Sequence, residues 1–122
     1  MKHSPGFLKL VDDAKRNIRE TTVSAVAERL KRGDKFHFVD TREDDEWRAG
    51  HIPGAIHLGK GVIERDIETK IPNHGDEIIL YCGGGFRSAL AAEALQKMGY
   101  TNVASMDGGI RAWRAQGLPE DK

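Results

Sequence analysis

The sequence has a single cysteine, Cys82, so it cannot close a disulfide within the chain. It has no excess of either charge: nineteen basic and nineteen acidic residues cancel. That balance removes the electrostatic footprint expected of a protein that binds nucleic acid or an anionic membrane surface. Aromatic residues make up only 7% of the chain and are scattered rather than interleaved with a basic stripe, which points the same way. No apolar run approaches the ~20 residues that cross a bilayer. The opening Met1-Lys2-His3-Ser4-Pro5-Gly6 leads to Asp12 and Asp13 without an apolar core, so no secretory signal is expected. One cysteine and five dispersed histidines offer no ligand pair at zinc spacing, and neither a metal nor a cofactor is expected. A lone unpaired thiol fits a reducing, cytoplasmic setting. A chain of 122 residues makes one domain with an ordinary core.

What is present is an alternation of strand-like and helix-like segments. Phe7 to Ile18 carries apolar residues on one helical face. Thr21-Thr22 caps a second helix that runs to about Lys31 and stops at Gly33. Phe36 to Val39 is a short strand ending at Asp40, followed by a charged helix over Arg42 to Arg48 and a turn at His51 to Ala55. Ala55 to Leu58 is a short strand, and Val62 to Ile71 a helix closed by Pro72. Glu77 to Tyr81 is a continuous apolar run, the signature of a strand buried on both faces. Ser88 to Met98 is the clearest helix; Asn102 to Ser105 reads as a strand and Gly108 to Gln116 as a last helix. This order predicts an α/β fold, a parallel sheet with helices on both faces. Ligands in such sheets bind beyond the C-terminal ends of the strands, where Asp40 and Cys82 both fall.

The segment around the cysteine, Cys82-Gly83-Gly84-Gly85-Phe86-Arg87-Ser88, has its own chemistry. Glycines let the backbone curl its N–H groups toward a common centre, forming a nest for an anion. Arg87 adds a fixed cation, and the following helix adds its dipole. A thiol in that setting is expected to ionise easily and to hold a charged group bound to its sulfur.

Three separated segments, in order, resemble the rhodanese-like sulfurtransferases of single-domain type, which carry sulfane sulfur as a cysteine persulfide. The cysteine loop resembles their active-site loop. Val39-Asp40-Thr41-Arg42-Glu43 with Glu46-Trp47 and Gly50-His51-Ile52-Pro53-Gly54-Ala55 resembles their first signature, and Asp107-Gly108-Gly109-Ile110 with Trp113 their last. The resemblance divides the chain into a helical extension over 1–20 and a rhodanese-like domain over 21–120. It implies that Cys82 is the nucleophile and that Gly83, Gly84, Gly85, Phe86, Arg87 and Ser88 form the substrate cradle, with Arg87 attracting an anionic donor. It further implies that Asp40 and Arg42 support the rim, that His51 pins its turn, and that Trp47 and Trp113 are packing residues.

The implied reaction moves sulfur from thiosulfate or a thiol persulfide to cyanide, a small thiol or a protein thiol. The loop carries no lysine or second arginine before Arg87, unlike many family members suited to free thiosulfate; this turns the expectation toward a thiol persulfide such as glutathione persulfide. With no second cysteine, the sulfur must leave to an external acceptor. Two other readings stand beside this one. A phosphatase or arsenate reductase of related fold uses a similar loop, but the related phosphatases have one residue more between cysteine and arginine than the four found here. A sulfur-sensing or protein-docking module would use the fold without turnover.

Overall fold

The computed structural model of the chain describes residues 3–122. Five parallel strands form one sheet in the order β1-β5-β4-β2-β3: β1 (Arg19–Thr21), β2 (His37–Asp40), β3 (Ile56–His57), β4 (Ile78–Tyr81) and β5 (Val103–Met106). Six helices connect and flank them: α1 (Pro5–Lys15), α2 (Val23–Arg32), α3 (Asp44–Ala49), α4 (Ile63–Lys70), α5 (Phe86–Lys97) and α6 (Gly109–Ala115). Among the described residues, no helix is long and apolar enough to cross a membrane.

The central strand explains the two-layer core. All four residues of β4 are buried. Because side chains alternate along a strand, Ile78 and Leu80 enter one cluster with Ile63, Ile67, Ala92 and Leu95 of α4 and α5. Ile79 and Tyr81 enter the other, with Val26 of α2 and Ile110 and Trp113 of α6. The helices after β4 and β5 therefore leave toward opposite faces. A crevice opens where neighbouring strands diverge in this way, between their C-terminal ends.

Local signals set most boundaries. The Thr22 hydroxyl accepts the Ala25 N–H at 3.0 Å and starts α2, and Gly33 at φ +79° ends it. Three boundaries differ from the sequence expectation. The opening helix stops at Lys15, and Arg19-Glu20-Thr21 forms β1 on the sheet edge beside β5, so residues 19 and 20 belong to the sheet rather than to a helical extension. The third helix starts at Asp44 rather than Arg42, because the Asp40 carboxylate accepts the Arg42 N–H at 2.8 Å and holds that residue in a turn. Finally, α5 starts at Phe86 rather than Ser88, since Gly85 at φ +97° takes the left-handed conformation at the N-cap. The expectations for Met1 and Lys2 lie outside the described residues.

Candidate active site

Cys82 directly follows β4, at the divergence of β4 and β5, and its side chain is buried. The loop curls back over the sulfur. The Gly85 N–H donates to Sγ at 3.1 Å and the Ser88 N–H at 3.4 Å. The Ser88 hydroxyl lies 3.5 Å from Sγ and 2.7 Å from the Ser105 hydroxyl on β5. The first N–H groups of a helix have no partner within it, and Gly85 supplies no side-chain cap. The start of α5 thus turns its free donors toward the sulfur. This arrangement favours negative charge at Cys82 or on an atom bonded to it.

The turn after β5 fixes the other side of the loop. Ile110 N–H donates to the Cys82 carbonyl at 2.9 Å and Arg111 N–H to the Gly83 carbonyl at 3.0 Å. Gly109 sits at φ +57° with its Cα against those same carbonyls; a Cβ there would stand 2.6 Å from the Gly83 oxygen. The Asp107-Gly108-Gly109 segment is therefore a close-approach device for the cysteine loop.

Arg87 lies in the first turn of α5. Its guanidinium pairs with both carboxylate oxygens of Glu46 on α3, at 2.8 and 3.2 Å. The hydrogen bond from Arg87 is the largest of the effects that hold the Glu46 carboxyl down to about 2, against the opposing effect of partial burial. Arg87 is held above its ordinary range in turn, first by Glu46, with the Cys82 sulfur among the lesser contributors. Glu46 is aimed by its own helix start: its Oε1 also accepts the Glu43 N–H at 2.9 Å in a capping box.

A depressed carboxyl pKa stabilises the fold above the unfolded-state value near 4.5 and loses that contribution as pH falls toward about 2. The difference in melting temperature between wild type and Glu46→Gln is accordingly expected to be fully present above about pH 4.5 and to shrink steadily toward pH 2. Parallel melts across that window measure it, and a difference independent of pH would contradict the pairing.

Asp40 and Arg42, expected to support the rim, instead pair with each other inside the protein. Both are buried, with Arg42 Nη2 2.8 Å from Asp40 Oδ2 and 2.6 Å from the Gly50 carbonyl. Neither lines the cavity over Cys82. The pair instead pins the end of α3, the helix that carries Glu46. His51 stacks on Trp47 at 3.5 Å, its Nδ1 lies 3.0 Å from the Trp47 carbonyl, and its backbone bridges to Asp121; it acts as a structural pin. Trp113 is buried in the core.

A cavity of about 530 Å³ opens over Cys82. Part of its lining comes from the opening helix and the residue before its cap: Phe7 and His3 lie against Phe86, with the His3 and Phe86 ring centres 5.0 Å apart. Another part is Arg111 of α6, whose guanidinium lies over Gly83 and Gly84. Sequence reasoning missed both parts. Arg111 comes two residues after the Gly108-Gly109 pair, and that pair was the available signal that this helix start meets the cysteine loop.

Comparisons with known proteins fit this geometry. The model of the Rhodanese-like domain family matches residues 22–116. Thiosulfate sulfurtransferase GlpE of Pseudoalteromonas translucida is 37% identical over 93 residues, covering 75% of this chain and 87% of that protein. A Bacillus subtilis relative, 31% identical over 97 residues, is longer, and the chain spans only 51% of it. Among solved structures, RPA3614 of Rhodopseudomonas palustris, described as a protein of unknown function and possible tyrosine phosphatase, superposes with a TM-score of 0.81 at 31% identity. That match covers 99% of this chain and 98% of the other, opening helix included. A thiosulfate sulfurtransferase from Pseudomonas aeruginosa, at 22% identity and a TM-score of 0.82, shares the fold. A cysteine loop at the divergence of β4 and β5, a match over most of the sheet and relatives named as sulfurtransferases converge on one assignment: the chain belongs to the rhodanese-like domain family.

Proposed function

We propose that this protein is a sulfurtransferase that carries sulfane sulfur on Cys82 between a small donor and a thiophilic acceptor. The observation that carries the reading is the pair of backbone N–H groups, from Gly85 and Ser88, aimed at a single sulfur at the base of an open cavity. With thiosulfate as donor, the Cys82 thiolate attacks the outer sulfur. The Sγ–S bond forms, the donor's S–S bond breaks, and sulfite leaves with the electron pair. With a thiol persulfide as donor, the leaving group is the thiolate. The Phe86 and Arg87 N–H groups at the start of α5 cradle the new outer sulfur, and the Ser88 hydroxyl lies between Sγ and the Ser105 hydroxyl, within reach of both. Cyanide or an external thiolate then attacks the outer sulfur and releases the Cys82 thiolate. Attack by an ionised thiol needs no general base, and Asp40 is committed to Arg42 away from the cavity.

The rival reading is a phosphatase, to which the description of RPA3614 lends weight. Four residues separate Cys82 from Arg87 here, and this tight loop suits one sulfur atom better than a tetrahedral phosphate. The loop's own cation also favours the smaller task, because Glu46 already matches Arg87. Initial rates with thiosulfate and with glutathione persulfide, each against varied cyanide, decide between the two, with p-nitrophenyl phosphate in a parallel assay. Parallel lines in the double-reciprocal plots are expected, as for any two-step displacement through a covalent intermediate. Phosphate release without thiocyanate formation would overturn the reading.

A further inference from the structure

We propose that Arg111 is the residue that docks the anionic group of the sulfur donor and so determines which donors are used, an inference that rests on the sulfurtransferase reading above. The family resemblance gives that task to Arg87, but the Arg87 guanidinium is engaged by both oxygens of Glu46. Arg111 is different. Its side chain makes no ion pair or hydrogen bond among the described residues, and it is exposed. Its backbone is nevertheless fixed, because its own N–H donates to the Gly83 carbonyl at 3.0 Å.

The guanidinium rests on the loop itself. Arg111 Nη2 lies 3.3 Å from the place where a Cβ of residue 83 would stand, and Nη1 lies 3.4 Å from that of residue 84. Arg87 Nη2 lies 3.1 Å from the same place at residue 83, so both guanidiniums lie over the bare backbone of the loop. Arg111 and Cys82 line the same cavity.

Charge balance gives this placement a purpose. A thiolate must meet a donor that is itself an anion, and like charges brought together repel in proportion to 1/r. With Arg87 balanced by Glu46, Arg111 is the cation left to offset that repulsion. The same cavity is also lined by the aromatic rings of Phe7 and Phe86. A cavity of about 530 Å³ lined by the Arg87–Glu46 pair, by Arg111 and by aromatic rings has the dimensions of a site for an organic ligand. The shared donor chemistry is an oxyanion held within reach of the transferable sulfur: the sulfonate end of thiosulfate or a carboxylate of an organic persulfide.

The test compares wild type, Arg111→Gln and Arg111→Lys with three donors: thiosulfate, glutathione persulfide and the persulfide of glutathione diethyl ester. Loss of a charge-assisted contact at an exposed site predicts a KM about tenfold higher for an anionic donor in Arg111→Gln. The expected kcat stays within about twofold, the ester shows less than about twofold change, and Arg111→Lys recovers part of the loss. An effect confined to thiosulfate assigns the sulfonate as the docked group, and one confined to glutathione persulfide assigns the carboxylate. Equal losses for the ester and the anionic donors, no loss for any donor, or a fall in kcat at constant KM would each overturn the proposal. Failure of the underlying reading is separately visible: wild type would then gain no sulfur on Cys82 from any of the three.

Discussion

Replacing Cys82 with serine is expected to abolish sulfur transfer while leaving the fold in place. Oxygen cannot take up a sulfane sulfur as a stable, transferable anion, so the covalent route closes and the rate falls by at least about 10³-fold, a barrier increase of about 4 kcal/mol. The structural cost is small, because a serine hydroxyl can accept the same Gly85 and Ser88 N–H groups that Sγ accepts now. A stability change of about 1 kcal/mol follows from exchanging one buried acceptor for another. Thiocyanate production and thermal melting, measured on the same preparation, check the two halves together. A loss of activity matched by collapse of the fold would make Cys82 a core residue rather than a nucleophile.

Gly109→Ala is expected to have the largest structural effect of the described glycine-to-alanine changes, because its added Cβ comes closest to backbone atoms. The added Cβ would meet the carbonyls of Cys82 and Gly83, with the Gly83 oxygen at 2.6 Å and its carbonyl carbon at 2.7 Å. These are backbone atoms of the cysteine loop and cannot swing aside like a flexible side chain. The left-handed conformation costs alanine about 1 kcal/mol, and overpacking a close approach costs about 1–3 kcal/mol more. Together these lower the melting temperature by on the order of 10 °C. Whatever fraction stays folded must push the loop away from β5 and misplace the donors around Sγ. Activity per folded molecule should therefore fall as well, by at least about tenfold. Gly117→Ala makes a matched control: Gly117 also has positive φ, at +70°, but nothing lies within 4 Å of its added Cβ. It shares the backbone strain and lacks the collision, so it should lose far less stability and no activity.

Both predictions concern positions that stand out in the sequence, and the contrast with the less legible positions is physical. Signals that act over a few residues were readable. A continuous apolar run became β4, Thr22 and Gly33 bounded α2, and the glycine loop after Cys82 became a ring of donors. The two helical layers followed from alternation along β4. Features that depend on distant partners were not readable. Arg19-Glu20-Thr21 has no apolar face and is a strand only because β5 offers a free edge. Asp40 and Arg42 are charged residues of a kind rarely buried; only their mutual pairing and the Gly50 carbonyl make that burial tolerable.

The site shows the same division. The Cys82 loop is local, and its curl over the sulfur at the end of β4 was legible from its glycines. The engagement of Arg87 joins residues 41 positions apart, Arg87 and Glu46, and gives that cation a carboxylate partner with no local signal. The opening helix looked like an appendage because it lies outside the family signature. It packs on α5 and supplies part of the cavity's aromatic lining through Phe7. The low loop charge that argued against thiosulfate is offset by Arg111 from α6, a residue the chain brings to the loop only through the turn after β5.

The central claim is that Cys82 carries the sulfur, and intact-mass analysis tests it without any assumption about the physiological donor. Wild-type protein treated with thiosulfate or glutathione persulfide is predicted to gain the mass of one sulfur atom, to lose it on addition of cyanide with one thiocyanate formed, and to show no gain when Cys82 is serine. Wild type that stays at its original mass with every donor, or a serine variant that gains the same mass, would contradict the account.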